Sequence, residues 1–219
     1  MDRFKRRHCI KLKIIKGEAN SVDIATVDEF RAGVATSLPQ RYDPEDIFNA
    51  DETAFFWLIN ARKTLTFKHD PCVGAKQNKS RVTILPCVNM TGTEKKRLLI
   101  IGRYENPWMT SMVFTEWLNR WNRKLSIQGR HIALVLDNAS CHPKITISHI
   151  ELVFLPPNTT SHTQPLDQGI IANMSHYRHL YTQGHLLPAM EAGVRSTYNL
   201  YDALGVLCQA WGLVTPRTN

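Results

Sequence analysis

No stretch of the 219-residue chain approaches the roughly 18 consecutive apolar residues that a membrane-crossing helix needs, which excludes a helical span from the sequence. The N-terminus is basic from its third residue and carries no apolar core of a secretory signal. The five cysteines (Cys9, Cys72, Cys87, Cys141 and Cys208) form no CxxC pair. Their odd number and wide spacing are those of reduced thiols in an intracellular protein rather than of a disulfide framework. Internal repeats and low-complexity tracts are also lacking. What remains is an ordinary globular composition, 43% hydrophobic, long enough for one domain with a sizeable core and appendages.

Charge is concentrated at one end. Residues 1–16 hold seven basic side chains (Arg3, Lys5, Arg6, Arg7, Lys11, Lys13, Lys16) against Asp2 alone, a local charge of +6 out of the net +8. The other 203 residues are close to neutral, with 20 basic and 18 acidic side chains. A cluster of this kind neutralises phosphates, serves as a nuclear import signal, or is a solvated basic face.

Residues 17–45, with Gly17, Gly33, Pro39 and Pro44, read as a connector holding a short helix near Thr26–Ala35. From residue 46 the pattern turns to strands: Ile47–Phe48, Ala54–Ile59, Thr64–Phe67, Arg81–Val88 (with Pro86 marking an edge or irregularity) and Arg97–Ile101. Short links between them predict antiparallel pairing. Over 110–125 the apolar residues Val113, Phe114, Trp117, Trp121 and Leu125 recur every three or four positions, predicting a helix with Thr110 as N-cap and Met109 and Phe114 as a hydrophobic staple. The tryptophans at this spacing read as core packing rather than base stacking. His131–Leu136 is a nearly continuous apolar run, the pattern of a strand covered on both faces. Leu152–Leu155 is another short strand, stopped by Pro156 and Pro157. Helices follow over Gln164–Tyr181, with Ile170, Met174, Tyr177 and Tyr181 as its stripe, and over 198–213, with Leu200, Leu204, Leu207 and Trp211. Antiparallel strands, a helix, a buried strand, another strand and a helix make the order of an α/β, ribonuclease-H-like mixed sheet flanked by helices.

Three aspartates occupy telling places in this order. Asp51 follows the first strand, Asp137 ends the buried strand, and Asp167 lies in the first turns of the helix predicted after the double proline. Eighty-five residues separate the first two and 29 the second two, so only the fold can bring them together. Carboxylates converging from distant segments are what a two-magnesium phosphodiester site needs.

The residues around them are more specific than the spacing. Asn49-Ala-Asp-Glu-Thr53, Leu136-Asp-Asn-Ala139 with His142-Pro143, and Leu155-Pro-Pro-Asn-Thr-Thr160 followed by Gln164-Pro-Leu-Asp-Gln-Gly169 resemble the DDE superfamily of transposases and endonucleases. Within it the match is to the pogo/Tigger group, which includes jerky-like and centromere-protein-B-like proteins. The similarity runs through Thr91-Gly-Thr-Glu94, Ile101-Gly102 and Trp108-Met-Thr110, covering roughly residues 1–17 and 43–217.

The resemblance implies that Asp51, Asp137 and Asp167 are catalytic residues holding two Mg²⁺ ions, with Mn²⁺ as the alternative, which serve the attacking and leaving oxygens in DNA cleavage or strand transfer. It also implies a nuclear protein with DNA as its partner. Arg3-Phe-Lys-Arg-Arg-His8 is similar to the end of a second helix-turn-helix unit, making Arg3, Lys5, Arg6 and Arg7 DNA contacts, with Asn138 and Asn158 as further candidates. Glu52 and Thr53 are expected to orient Asp51. Asn138 and His142 would contact phosphate or order their loop, His142 being structural rather than a ligand. Asn158, Thr159, Thr160, Gln164 and Gln168 would cap a turn or touch the DNA backbone. The expected organisation is a helix-turn-helix remnant over 1–20, a linker over 21–45, the catalytic domain over 46–183 and a helical extension over 184–219. Both ends read as cut. Beside the metal-dependent endonuclease stand two other readings, a catalytically silent domesticated or decaying nuclear DNA-binding protein and a fragment with no function of its own.

Overall fold

Two short strands that meet side by side set the layering of the molecule. The computed structural model describes residues 28–57, 80–102, 108–156, 175–194 and 197–214. In chain order these form a helix over residues 28–41 (α1), strands Ile47–Ala50 (β1), Thr53–Phe56 (β2), Arg81–Leu85 (β3), Cys87–Asn89 (β4) and Leu99–Ile101 (β5), helix Ser111–Gln128 (α2), strands Ile132–Leu136 (β6) and Ile150–Phe154 (β7), a helix over residues 175–191 (α3) and helix Leu200–Leu213 (α4). The expected strand Thr64–Phe67 and the first part of the expected helix Gln164–Tyr181 lie outside the described residues.

β1 pairs antiparallel with β4 and parallel with β6, and β6 pairs parallel with β7. β2, β3 and β5 form a second, antiparallel group. The two groups share one ladder. Ala50 stands opposite Cys87 and Thr53 opposite Ile84, so Asp51 and Glu52 fall opposite Pro86 and Leu85 with no residue inserted. The Asp51 N–H donates to the Pro86 carbonyl at 3.4 Å. Proline has no N–H to return that bond, so the regular pairing lapses there. The expected strand Arg81–Val88 is therefore two strands, with Pro86 as the break.

Side chains alternate across this sheet, and each face has its own cover. Phe48 and Ala50 of β1, with Ile132, Leu134 and Leu136 of β6, pack under Phe114, Leu118, Trp121 and Leu125 of α2. Ile47 and Ala133 on the opposite face pack with Val153 against Leu38 of α1. Further along that second face, Phe55, Val82 and Ile84 meet Tyr177 of α3 and Val206, Leu207 and Ala210 of α4. Burial on both faces explains why Ile132–Leu136 reads as an unbroken apolar run.

The helix ends follow local chemistry. Thr110 caps α2 by accepting the Val113 N–H at 3.3 Å, and Gly129 closes it with a φ of 62°, a backbone conformation that favours glycine. Met109 and Phe114 are both buried in the core under that helix, as a staple requires. Asn199 and Asp202 form a capping box at the start of α4. The segment expected as a connector holds α1, which is tied down at its end: Arg41 and the Tyr42 hydroxyl both donate to Glu151 on β7, at 2.9 and 2.8 Å.

Candidate functional site

The site begins with a register. Ile47 pairs with Ala133, Phe48 with Leu134 and Asn49 with Val135. Carried two residues further, the same offset sets Asp51 beside Asp137, on neighbouring parallel strands about 4.8 Å apart. Both stand at the carboxyl ends of their strands, the edge where open α/β sheets place their ligands. Asn49 fastens this register: its side-chain amide donates to the Val135 carbonyl across the strand pair at 3.0 Å. Asp51 is 7% exposed.

Asp137 is held by the loop that follows β6. Its Oδ1 accepts from His142 Nδ1 at 2.8 Å and from the Ala139 N–H at 3.3 Å. The hydrogen bond from His142 holds the Asp137 carboxyl below the usual aspartate range, outweighing the opposing effect of burial. The other ring nitrogen, His142 Nε2, lies 2.8 Å from Glu52 Oε1. The ring has no exposed side-chain surface and packs on Phe114, centroid to centroid at 4.4 Å. Burial alone would favour the neutral imidazole. The hydrogen bonds to Asp137 and Glu52 overcome it and raise the His142 pKa to about 10. Two carboxylate oxygens can only accept, so both ring nitrogens donate and the imidazole is a cation at neutral pH.

The expected contacts divide accordingly. Asp51 and Asp137 each follow directly on one of two adjacent parallel strands, at the same register offset. Asp167 and Asn158 lie outside the described residues, as do Arg3, Lys5, Arg6 and Arg7. Asn138 is exposed beside Asp137. Fully buried, His142 cannot reach a phosphate on the surface; it orders its loop. Glu52 turns to His142 rather than to Asp51. The pairing of Glu52 with His142, 90 residues apart, and the bond from Asn49 were not among the sequence expectations. Asn49 showed in the sequence only as the first residue of the Asn49–Thr53 motif and as a polar residue in a strand that is otherwise apolar.

One further group of potential ligands lies here. Glu52, Cys141 and His142 bring one donor atom each within 4.8 Å of one another. Sulfur and imidazole suit softer ions than Mg²⁺. Both ring nitrogens are engaged, and burial, with the charges of Glu52 and Asp137, pushes the Cys141 thiol up to about 11. Oxygen donors from Asp51 and Asp137, in contrast, fit a hard divalent ion.

Comparison with known proteins gives a consistent set. Residues 105–218 match the model of the DDE superfamily endonuclease family. The chain is 29% identical to Tigger transposable element-derived protein 4 of Mus musculus, over 100% of this chain and 46% of that protein. It is 28% identical to CENP-B homolog protein 2 of Schizosaccharomyces pombe, over 97% and 47%, and 27% identical to the human Jerky protein homolog, over 97% and 42%. It thus spans less than half the length of these relatives. Among solved structures, the Mos1 mariner paired end complex with Mn superposes with a TM-score of 0.64 at 14% identity, over 99% of this chain and 64% of that one. The corresponding complex with Mg gives 0.59 at 14% identity, over 97% and 62%. At this identity the likeness concerns the fold, which is ribonuclease-H-like, with the mixed sheet and flanking helices expected from the sequence.

Proposed function

From the premise that the chain belongs to the DDE superfamily endonuclease family, we propose that it is the catalytic core of a transposable-element-derived nuclear protein that cleaves or transfers DNA strands. The observation that carries this reading is the parallel register of β1 and β6, whose offset, continued two residues past Asn49 and Val135, supports a meeting of Asp51 and Asp137. Asp51, Asp137 and Asp167 would hold two divalent ions, Mg²⁺ or Mn²⁺. Bound there, such ions supply Lewis-acid stabilisation to the attacking and leaving oxygens of a phosphodiester. That solved complexes of the same fold are described with Mn and with Mg supports the choice of ion.

The chain's own residues prepare the site. Asn49 keeps β1 and β6 from slipping, which preserves the pairing of the two carboxylates. A one-residue slip would send Asp51 to the other face of the sheet. Asp137 is ionised at neutral pH, as an ordinary aspartate is, and the hydrogen bond from His142 lowers its pKa further, so it meets a cation without first losing a proton. The basic residues Arg3, Lys5, Arg6 and Arg7 would add phosphate contacts, since the remaining residues carry little net charge.

That charge distribution also favours a second reading, a catalytically silent DNA-binding protein that relies on its basic segment. Nicking of supercoiled DNA separates the two. The endonuclease reading expects Mg²⁺- or Mn²⁺-dependent nicking that falls by at least about a hundredfold in Asp137→Ala, the scale of losing one strong charge-stabilising group. Equal nicking by the variant would sink it. DNA binding without nicking by either protein supports the silent reading.

A further inference from the structure

Asp51 and Glu52 are consecutive, yet they serve different sides of the sheet. Strand alternation puts Asp51 on the face of Asn49 and Ile47. Glu52 goes the other way, towards α2, where it meets His142 on the ring of Phe114. The imidazole then reaches through to Asp137. We propose that His142, braced by Glu52, is a positioning residue for Asp137: it occupies Oδ1 and so presents Oδ2 as the oxygen available to a divalent ion. The inference rests on the metal-dependent nuclease reading given above.

The geometry supports a clamp rather than a passive filler. A carboxylate rotates freely about its last bond, and a ligand that rotates loses affinity to the entropy of fixing it. His142 removes that freedom because its own ring cannot move. Phe114 packs against it at a tilt of 47°, Glu52 holds one nitrogen at 2.8 Å and Asp137 the other at 2.8 Å. The Ala139 N–H adds a second donor to the same Asp137 oxygen. Outer partners that orient a ligand in this way commonly change metal affinity by about ten- to a hundredfold when removed. The arrangement also gives the Asp51-Glu52 pair a joint purpose: the first residue would be a ligand, and the second supports the ligand on the neighbouring strand.

Two amide variants separate the two ends of the ring. The Asn amide reaches only as far as Nδ1, so His142→Asn keeps a donor for Asp137 and gives up Glu52. The longer Gln side chain places its amide near Nε2, so His142→Gln keeps Glu52 and gives up Asp137. Mn²⁺ binding to the full chain is read by the loss of the free-ion electron paramagnetic resonance signal, with thermal melts run in parallel. The clamp expects affinity to fall about ten- to a hundredfold in His142→Gln and to be largely retained in His142→Asn, although both variants melt below the parent protein. Equal affinity losses in the two folded variants, or no loss in either, overturn the positioning role. Should His142→Gln not fold, Glu52→Gln carries the test: it loosens the ring from behind, and unchanged Mn²⁺ affinity overturns the proposal. Parent protein that binds no Mn²⁺, or binds it as well as Asp137→Asn does, sinks the metal-dependent reading itself and the inference with it.

Discussion

His142 carries a proton between two carboxylates in a place no solvent reaches, and that has a consequence for stability. Folding raises its pKa from the ordinary 6.5 to about 10. The folded state therefore binds this proton more tightly than the unfolded chain does. The stabilisation is fully present below about pH 6.5 and is lost as pH climbs through about 10. Asp137 has the opposite sense: its depressed pKa stabilises the fold above the ordinary value of 3.8 and is lost as pH falls through the lower folded value. With chelator present, the parent protein is expected to lose melting temperature steadily from pH 7 to 10. His142→Gln has no proton to lose there and should follow a flatter course. At about 1.4 kcal/mol per pKa unit, the difference between the two slopes integrates to at most a few kcal/mol. Parallel slopes for the two proteins would show that His142 is not the titrating group. The sequence made Asp51 and Asp137 visible through the residues around each and, for Asp137, through the apolar run that it ends. It left Glu52 and His142 apart, because their contact depends on the β1–β6 register and on a loop packed against Phe114. Neither leaves a local trace in the chain.

At the scale of elements, local signals were the readable ones. Helix α2 was legible because its stripe, its Thr110 cap and its Gly129 stop all lie within one short stretch. Pro86 was legible as an irregularity because a missing N–H acts locally. Helix α4 was found and its expected stripe packs inward, but the most deeply buried line lies beside that stripe. The expected stripe was Leu200, Leu204, Leu207 and Trp211, whereas the buried residues are Ala203, Val206, Leu207 and Ala210. Alanine has little hydrophobic weight in a periodicity, yet it lies where the helix comes closest to its neighbour. The larger residues Leu200, Leu204 and Trp211 flank that line and are partly buried. Ala203 has no exposed surface, so Ala203→Leu must push α4 away from its neighbours. We expect a loss of about 1–3 kcal/mol in a urea unfolding curve, the usual cost of overpacking. Tyr201, 86% exposed on the outer side, should tolerate Ala with a change within about 0.5 kcal/mol. Similar losses from both substitutions would mean that the helix is rotated from the position described.

The whole molecule is a sheet that needs cover from both ends of the described chain. Residues 46–183 were expected to form the catalytic domain, with a linker before and an extension after. The apolar contacts argue for a wider unit. Leu38 of α1, with Val34 and Tyr42 beside it, covers Ile47, Ala133 and Val153 directly behind the strands that end in Asp51 and Asp137. Val206, Leu207 and Ala210 of α4 cover Phe55, Val82 and Ile84, and the Tyr177 hydroxyl ties α3 to the end of β2 through the Trp57 carbonyl at 2.8 Å and to Tyr198 at 2.9 Å. This long-range cover left no boundary signal, since α1 lies in a stretch rich in polar residues, Gly33 and Pro39. We therefore propose that the folding unit that holds the catalytic strands takes in α1 and α4 as well. A chain cut to 46–183 would expose the second face of the sheet under both helices. It should bind a hydrophobic dye and lose its cooperative thermal transition, the behaviour of a chain whose secondary structure outlasts its packing. A chain of residues 28–219 should keep a single transition close to that of the parent. If 46–183 melts as cooperatively as 28–219, α1 and α4 are appendages, and the register that pairs Asp51 with Asp137 stands without their support.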